Sequence, residues 1–459
     1  MTKSKMLRIV NSSLLIASAF LLCAALGMLI NPDAFHKFFS PVQLVPDPPP
    51  PETSRSYYWD LQGYADIVLN NSCLAFYPLW PLLIRILFHP QNVEQAAHNF
   101  LLVSTVIFFL SIPLLIWVFS KSLKNDYLAL LSVLAFYLSP IAIFRVIGYT
   151  ESLFSVLSVV LIWLCLPQTN LSLTLRLILV FFLTLIMGLT RPILIPFILA
   201  SLGAIVTIFY FESLKINTHN SSSWLITIKK YVQEIKITLT LWISSLLAYS
   251  IYGFFCWQAR GDFFAPFKDQ KNWGTKLGLH LELLLIPKSQ FVDLLGLYFP
   301  LLVLLIAFIC IYCKIKKQNL IVWQPKSILW NILFFYPPLL ILTYIFNWLN
   351  LKNKSIRKNN FLKNIKNYNY LENLSANYIF WFCVYFPVIH SLIIFFTRDR
   401  LYSLGRYIFG VPFFFLALGY LCCCIPGKKT YQTLWWFIGI SAVALVEQWV
   451  NYGQNKWLG

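Results

Sequence analysis

The run Leu14-Leu15-Ile16-Ala17-Ser18-Ala19-Phe20-Leu21-Leu22-Cys23-Ala24-Ala25-Leu26-Gly27-Met28-Leu29-Ile30 carries no charge, and Lys3, Lys5 and Arg8 stand just before it. Counted from Leu7, it is long enough to cross a hydrocarbon core of ~30 Å as a helix. It lacks a small-residue cleavage site, so it reads as a first span and not as a removed leader. The basic residues ahead of it place the N-terminus in the cytoplasm. Similar runs recur along the 459 residues, which are 59% hydrophobic and 12% charged. A soluble fold of that length has too little interior for so much apolar surface. In lipid each segment must bond its own backbone, so the expected fold is an all-α polytopic membrane protein.

Working outward from this span, the Lys-rich loops set the direction of each crossing. Residues 31–98 form a first outer loop containing Pro46-Asp47-Pro48-Pro49-Pro50-Pro51, a stiff polyproline stretch, and Ala75 to Phe88, too short to cross and expected in the interface. Further spans are expected at Phe100 to Ser120, Tyr127 to Ile147, Leu153 to Leu166, Leu175 to Leu189, Ile193 to Phe211, Ile237 to Trp257 and Phe291 to Cys313. Residues 258–290 form the second outer loop. Ile328 to Leu349 has basic residues on both flanks and Pro337-Pro338 in its middle, so it reads as a hairpin with both ends inside. A basic cytoplasmic loop, 350–375, follows it, and Tyr378 to Phe396, Tyr407 to Cys424 and Leu434 to Val450 complete a single multi-span domain of about 11–12 transmembrane helices. The formal net charge of +19 arises largely from these loops, so nucleic acid is not an expected partner. The ten Cys show no ligand spacing, and Cys422, Cys423 and Cys424 read as small lipid-facing apolar residues.

This topology gathers the unusual polar residues on the outer side: Asp60, Asp66, Glu151, Arg191, Asp262, Arg398, Asp399, Arg400 and Arg406. Ionisable groups at a membrane edge are costly unless paired or facing water. Arg85, Arg145 and Asp399 read singly as snorkelling or ion-paired groups, but the set as a whole calls for a function. Arginine holds a lipid phosphate bidentately and stays charged. A carboxylate can take the proton of an incoming hydroxyl, and a lipid phosphate leaves as a stable anion without needing an acid. There is no Gly-rich phosphate loop, no Asp-x-Asp metal motif and no Rossmann fingerprint, so neither a metal nor a cytoplasmic nucleotide sugar is expected. Asp60 and Asp66 lie six positions apart, which is not one helical face, and have different expected roles.

Trp59-Asp60 with Tyr64 and Ile67, followed by Ala75-Phe76-Tyr77-Pro78-Leu79-Trp80-Pro81-Leu82-Leu83-Ile84-Arg85, resembles the PIG-V-like mannosyltransferases, a family that includes the enzyme adding the second mannose of GPI anchors. Further stretches are similar in the same order: Ser139-Pro140 with Ile143-Phe144 and Tyr149-Thr150-Glu151-Ser152-Leu153-Phe154, then Thr190-Arg191-Pro192, then Gly261-Asp262 with Ala265-Pro266-Phe267 and Trp273-Gly274, then Gly405-Arg406-Tyr407 with Pro412. Departures are Leu69-Asn70-Asn71-Ser72 where the family has Gly-Tyr, Pro192 after Arg191, and Asn319 to Asn377, which has no counterpart. The resemblance implies a GT-C type glycosyltransferase with a catalytic first outer loop. It implies transfer of a sugar, usually mannose, from a polyprenyl phosphate to a glycan or glycolipid hydroxyl on the non-cytoplasmic face, with inversion and no cofactor. Asp60 matches the family's acidic position and is the expected base. Trp59, Tyr64, Asp66, Glu151, Arg191, Asp262, Arg406 and Tyr407 are the expected substrate-binding residues, with Arg191 and Arg406 on the lipid phosphate. The compact second outer loop is similar to bacterial members, which implies the bacterial plasma membrane in preference to the endoplasmic reticulum. The competing reading is a transporter or a flippase of lipid-linked saccharides, which calls for internal repeats and midplane charges. No repeat is present, and a purely structural subunit leaves the one-sided Asp/Arg set unexplained.

Overall fold

In the computed structural model the first apolar run is a helix, α1 (Lys3–Ile30), and a short amphipathic helix, α2 (Pro32–Phe39), follows it. The residues described are 3–39, 59–70, 76–215, 223–269, 276–284, 289–315, 368–424, 427–454, 456 and 458. Next come α3 (Trp59–Asn70), α4 (Leu79–Phe88), α5 (Val93–Leu123) and α6 (Asp126–Tyr137). A 3-10 turn, Pro140–Arg145, leads to α7 (Glu151–Cys165), and α8 (Leu173–Thr190) and α9 (Leu194–Lys215) form a hairpin. Then follow α10 (Ser223–Lys230), α11 (Val232–Arg260), α12 (Ala265–Lys268) and α13 (Phe291–Ile315). The last group is α14 (Tyr368–Ser375), α15 (Tyr378–Thr397), α16 (Leu404–Phe409), α17 (Phe413–Cys424) and α18 (Lys428–Gly453). Asparagine starts three of these helices: the side chains of Asn92, Asn125 and Asn377 accept the amides of Gln95, Leu128 and Phe380.

Eight helices are long and apolar enough to cross a membrane, and no β-strand occurs among the described residues. The chain is an all-α, multi-pass integral membrane protein. The eight coincide with eight of the eleven expected spans. The other three differ. Tyr127 to Ile147 is a 12-residue helix broken at Ser139-Pro140, because proline bars its predecessor from the helical region. Leu153 to Leu166 is a 15-residue helix, and Tyr407 to Cys424 divides into the short α16 and the 12-residue α17. Cys423 and Cys424 are buried within the bundle, not turned to lipid, with Cys423 Sγ 3.7 Å from the Leu123 carbonyl. The polyproline stretch, the Ile328 to Leu349 hairpin, most of loop 350–375 and Trp273-Gly274 lie outside the described residues.

Prominent among the packed pairs, α9 runs antiparallel to α15, while α8 lies parallel to α11 and α1 parallel to α18. At the end carrying Asp60, the first and last helices are clasped. Asn31 Nδ2 donates to the Val450 carbonyl at 3.0 Å, and Lys37 Nζ donates to the Gly453 carbonyl at 2.6 Å, where a cation meets a helix C-terminus. At the opposite end Glu212 binds Lys215 and Lys230 at 2.9 and 2.6 Å.

Two glycines bring α3 and α7 into register with the bundle. A Cβ on Gly63 would stand 2.2 Å from the Phe76 ring. Gly148 has φ +92, its amide donates to Ser104 Oγ at 3.0 Å, and its carbonyl accepts from Trp80 Nε1 at 3.0 Å. This left-handed turn suits glycine and sends the chain straight into Glu151. Gly63→Ala is expected to destabilise by about 1–3 kcal/mol, the usual effect of overpacking. Thermal unfolding in lipid nanodiscs reads this, and an unchanged midpoint would mean that Phe76 is free to move aside.

Candidate functional site

Four residues that the sequence placed on one side meet in a single chain of charges. Asp60 stands in the first turn of α3, and Glu151 is the first residue of α7, where each carboxylate also complements its helix dipole. Arg191 ends α8 in extended conformation (φ −151, ψ 157), as the following Pro192 requires, and the Ile193 amide bonds back to the Arg191 carbonyl at 2.8 Å. The departure Arg191-Pro192 thus acts as a stop that fixes where the guanidinium begins. Arg406 lies in α16, whose preceding residue, Ser403, has φ +63. A left-handed serine at the head of the arginine turn is strain held by its surroundings, a pattern common at functional sites.

Arg406 Nη2 donates to Asp60 Oδ2 at 2.5 Å, and Arg191 Nη2 donates to Glu151 Oε1 at 2.6 Å. Arg406 Nε stands 2.7 Å from the same Glu151 Oε1, without hydrogen-bond alignment. All four side chains are buried, between 0% and 8% exposed. Two carboxylates and two guanidiniums cancel in charge, which is what allows them to sit out of water. Burial alone would favour a neutral Arg406, and the Asp60 and Glu151 charges outweigh it and keep it protonated.

Aromatic rings wall this chain. The Arg406 guanidinium lies 5.0 Å from the Tyr149 ring and 5.3 Å from Phe144, and Arg191 lies 5.3 Å from Tyr407 and 5.5 Å from Phe154. Tyr64 packs edge-on to Phe76 and Tyr149. Burial first, then the nearby Asp60 and Glu151 charges, raises the Tyr64 hydroxyl well above its ordinary pKa, so it remains a neutral donor.

The remaining expected residues divide. Tyr407 belongs to the site. Asp66 is half-buried on another face of α3, and burial shifts its pKa upward. Asp262 caps a local turn instead, binding Lys268 Nζ at 2.8 Å and accepting the Phe264 amide at 3.0 Å, and the Lys268 bond lowers its pKa. Trp59 opens α3, and its side chain lies outside the described groups. Arg145 differs from the expectation for it: it neither snorkels nor forms an ion pair among the described residues. It is 1% exposed, lies 3.5 Å over the Phe136 ring, and donates to the Phe136 carbonyl. Aromatic faces, not water, receive its charge.

Two residues were missed. Asp293, in the first turn of α13, is wholly buried and its Oδ1 accepts the Gly405 amide at 2.7 Å, next to Arg406. A lone acid entering an apolar span was the available signal. His390 of α15 stacks on Tyr407 at 5.8 Å and bonds the Phe386 carbonyl through Nδ1 at 3.1 Å. No sequence spacing marks it. Among the described residues no three His, Cys, Asp or Glu side chains group as metal ligands.

The arrangement offers guanidiniums for an anionic oxygen, a carboxylate for a proton, and aromatic faces for a sugar ring or an isoprenoid. Compared with known proteins, the chain matches no family model, no curated sequence and no solved structure.

Proposed function

We propose that this protein is an integral-membrane glycosyltransferase that moves a sugar, with mannose the first candidate, from a polyprenyl phosphate to an acceptor hydroxyl on the non-cytoplasmic face. The observation that carries the reading is the buried Asp60–Arg406–Glu151–Arg191 chain at one end of the helix bundle. The ordered resemblance to PIG-V-like mannosyltransferases supports it, since the four residues all fall within the similar stretches. In the proposed step the acceptor oxygen forms a bond to the anomeric carbon from the face opposite the phosphate. The bond between that carbon and the phosphate oxygen breaks, its electron pair stays on the phosphate, and the configuration inverts. Asp60 takes the acceptor's proton. Arg191 and Arg406 stabilise the charge gathering on the leaving phosphate. A transporter or flippase would place such charges near the midplane, whereas here they stand where α3, α7 and α16 begin.

The side is supported by a second feature. Cys256, at the same end of α11, is disulfide-bonded and fully buried beside Tyr252 and Tyr77. Disulfides persist in oxidising compartments, such as the periplasm or the endoplasmic-reticulum lumen. Cysteines introduced next to Lys121, Lys230 and Lys428 are therefore expected to react with a membrane-impermeant maleimide only from the cytoplasm, and one next to Arg400 only from outside. The same labelling next to Lys358 tests the hairpin.

The deciding assay incubates the purified protein in nanodiscs with radiolabelled polyprenyl-phosphate mannose and a panel of glycan and glycolipid acceptors. Appearance of labelled product, or slow release of mannose to water, supports the reading. A donor that is neither consumed nor bound removes it.

A further inference from the structure

The geometry points to a resident anion. We propose that Glu151 occupies, in the ligand-free protein, the position of a phosphate oxygen, and that Arg145 is the partner it turns to when a phosphate monoester or diester takes its place. This rests on the phosphate reading of Arg191 and Arg406 given above.

The Glu151 contacts are lopsided. Oε1 alone meets Arg191 Nη2 and Arg406 Nε, at 2.6 and 2.7 Å. Oε2 is buried with no hydrogen-bond partner among the described residues. A carboxylate whose only task is structural settles into a fork, with one oxygen on each donor. A single oxygen bridging two guanidiniums is instead the geometry of a non-bridging phosphate oxygen held between two arginines. Leaving Oε2 unmet is unfavourable, since an unsatisfied buried acceptor costs about 1–3 kcal/mol.

A complementary deficit lies six residues back in the chain. Arg145 is buried, and its Nε and Nη1 have no partner among the described residues, while Nη2 is used on the Phe136 carbonyl. The Arg145 and Glu151 side chains hang from one tight connection, the 3-10 turn Pro140–Arg145 and the left-handed Gly148 that leads into α7. An unmet carboxylate oxygen and two unmet guanidinium nitrogens on one short connection describe a pair that forms in a second state. When an anionic ligand claims Arg191 and Arg406, Glu151 would otherwise be a buried carboxylate beside another anion. Arg145 supplies a charge and the unmet N–H groups of Nε and Nη1 at the moment they are required. Asp60 keeps its own bond to Arg406 Nη2, so the proton acceptor stays in place during the exchange.

The test is a double-mutant cycle on ligand binding, using Glu151→Gln, Arg145→Met and the double variant. Farnesyl phosphate and, separately, inorganic phosphate are titrated against each protein in nanodiscs, with tryptophan fluorescence as the readout. Glu151→Gln empties the anion position and is expected to tighten farnesyl phosphate by about tenfold, the size of a coupled contact. Arg145→Met is expected to weaken binding by a similar factor in the native background and to have no effect when Glu151 is Gln. Equal weakening in both backgrounds would overturn the exchange, and so would weaker binding by Glu151→Gln. If Arg145→Met is not recovered folded, the Glu151→Gln result decides alone by its sign. If neither the native protein nor Glu151→Gln binds farnesyl phosphate, the phosphate reading itself falls. Inorganic phosphate binding as tightly as farnesyl phosphate would remove the lipid from the proposal and leave a bare phosphate site.

Discussion

Asp60→Asn is expected to lower transfer by about a hundredfold to ten-thousandfold, the usual worth of a general base. The substitution keeps the size of the side chain and one acceptor oxygen, so α3 and its packing should survive. It removes the proton acceptor and one of the two anions beside Arg406, so donor binding must be measured with turnover. The informative result is a loss in turnover at saturating donor while the donor affinity is kept. The parallel variant Asp66→Asn, half-buried on another face of α3, is expected to stay near the native rate unless it orients the acceptor. Near-normal turnover in Asp60→Asn, with Asp66→Asn or Glu151→Gln inactive, would move the base to that other carboxylate.

Arg406 carries the second large effect, and here it falls on stability as well as on binding. Arg406→Met leaves Asp60 and Glu151 buried with Arg191 alone to balance two negative charges. Breaking a buried pair by removing one partner typically costs about 3–5 kcal/mol, because the remaining charge stays out of water. The neighbouring Arg400, exposed and bonded to the Tyr402 hydroxyl at 3.2 Å, is the control, and its change to Met should stay within about 0.5 kcal/mol. Arg406→Lys separates the two effects. A lysine keeps the charge but is a point donor without the planar fork that sets Nη2 on Asp60 and Nε beside Glu151. It should therefore recover much of the stability and little of the donor affinity. Donor affinity unchanged in both Arg406→Lys and Arg191→Lys would count against the phosphate contacts. Thermal unfolding and donor titration in the same nanodiscs give both numbers.

The spans were legible in the sequence because the bilayer imposes a blunt rule: apolar for long enough, and helical throughout. Where the rule failed, at Tyr127 to Ile147, the apolar run continued while the helix did not, and Ser139-Pro140 was the visible mark of the break. The gathering of charges at one end was legible too, from counting crossings between Lys-rich loops. Their partners were not. Asp60 and Arg406 are 346 positions apart, and no local pattern says which arginine meets which acid. Arg145 shows the same limit from the other side. An arginine next to an apolar run reads as a snorkelling group, and only the folded bundle places the Phe108, Phe136 and Tyr137 rings around it.

α7 has 15 residues and starts at the ion-pair chain with Glu151, and α17 has 12 and follows Gly410, whose carbonyl accepts from Ser155 Oγ of α7 at 2.9 Å. At 1.5 Å per residue they descend only about 22 and 18 Å. A hydrocarbon core is ~30 Å thick. Both helices are therefore shorter than a full crossing, unlike α5 and α11 with 31 and 29 residues. Such a mismatch is met by local thinning of the leaflet. Under the proposed function, such thinning would bring the phosphate of a lipid-borne donor closer to Arg191 and Arg406 while its tail stays among the acyl chains. On that reading the acyl-chain length of the host membrane becomes a variable of the transfer assay, with thinner nanodiscs expected to favour turnover.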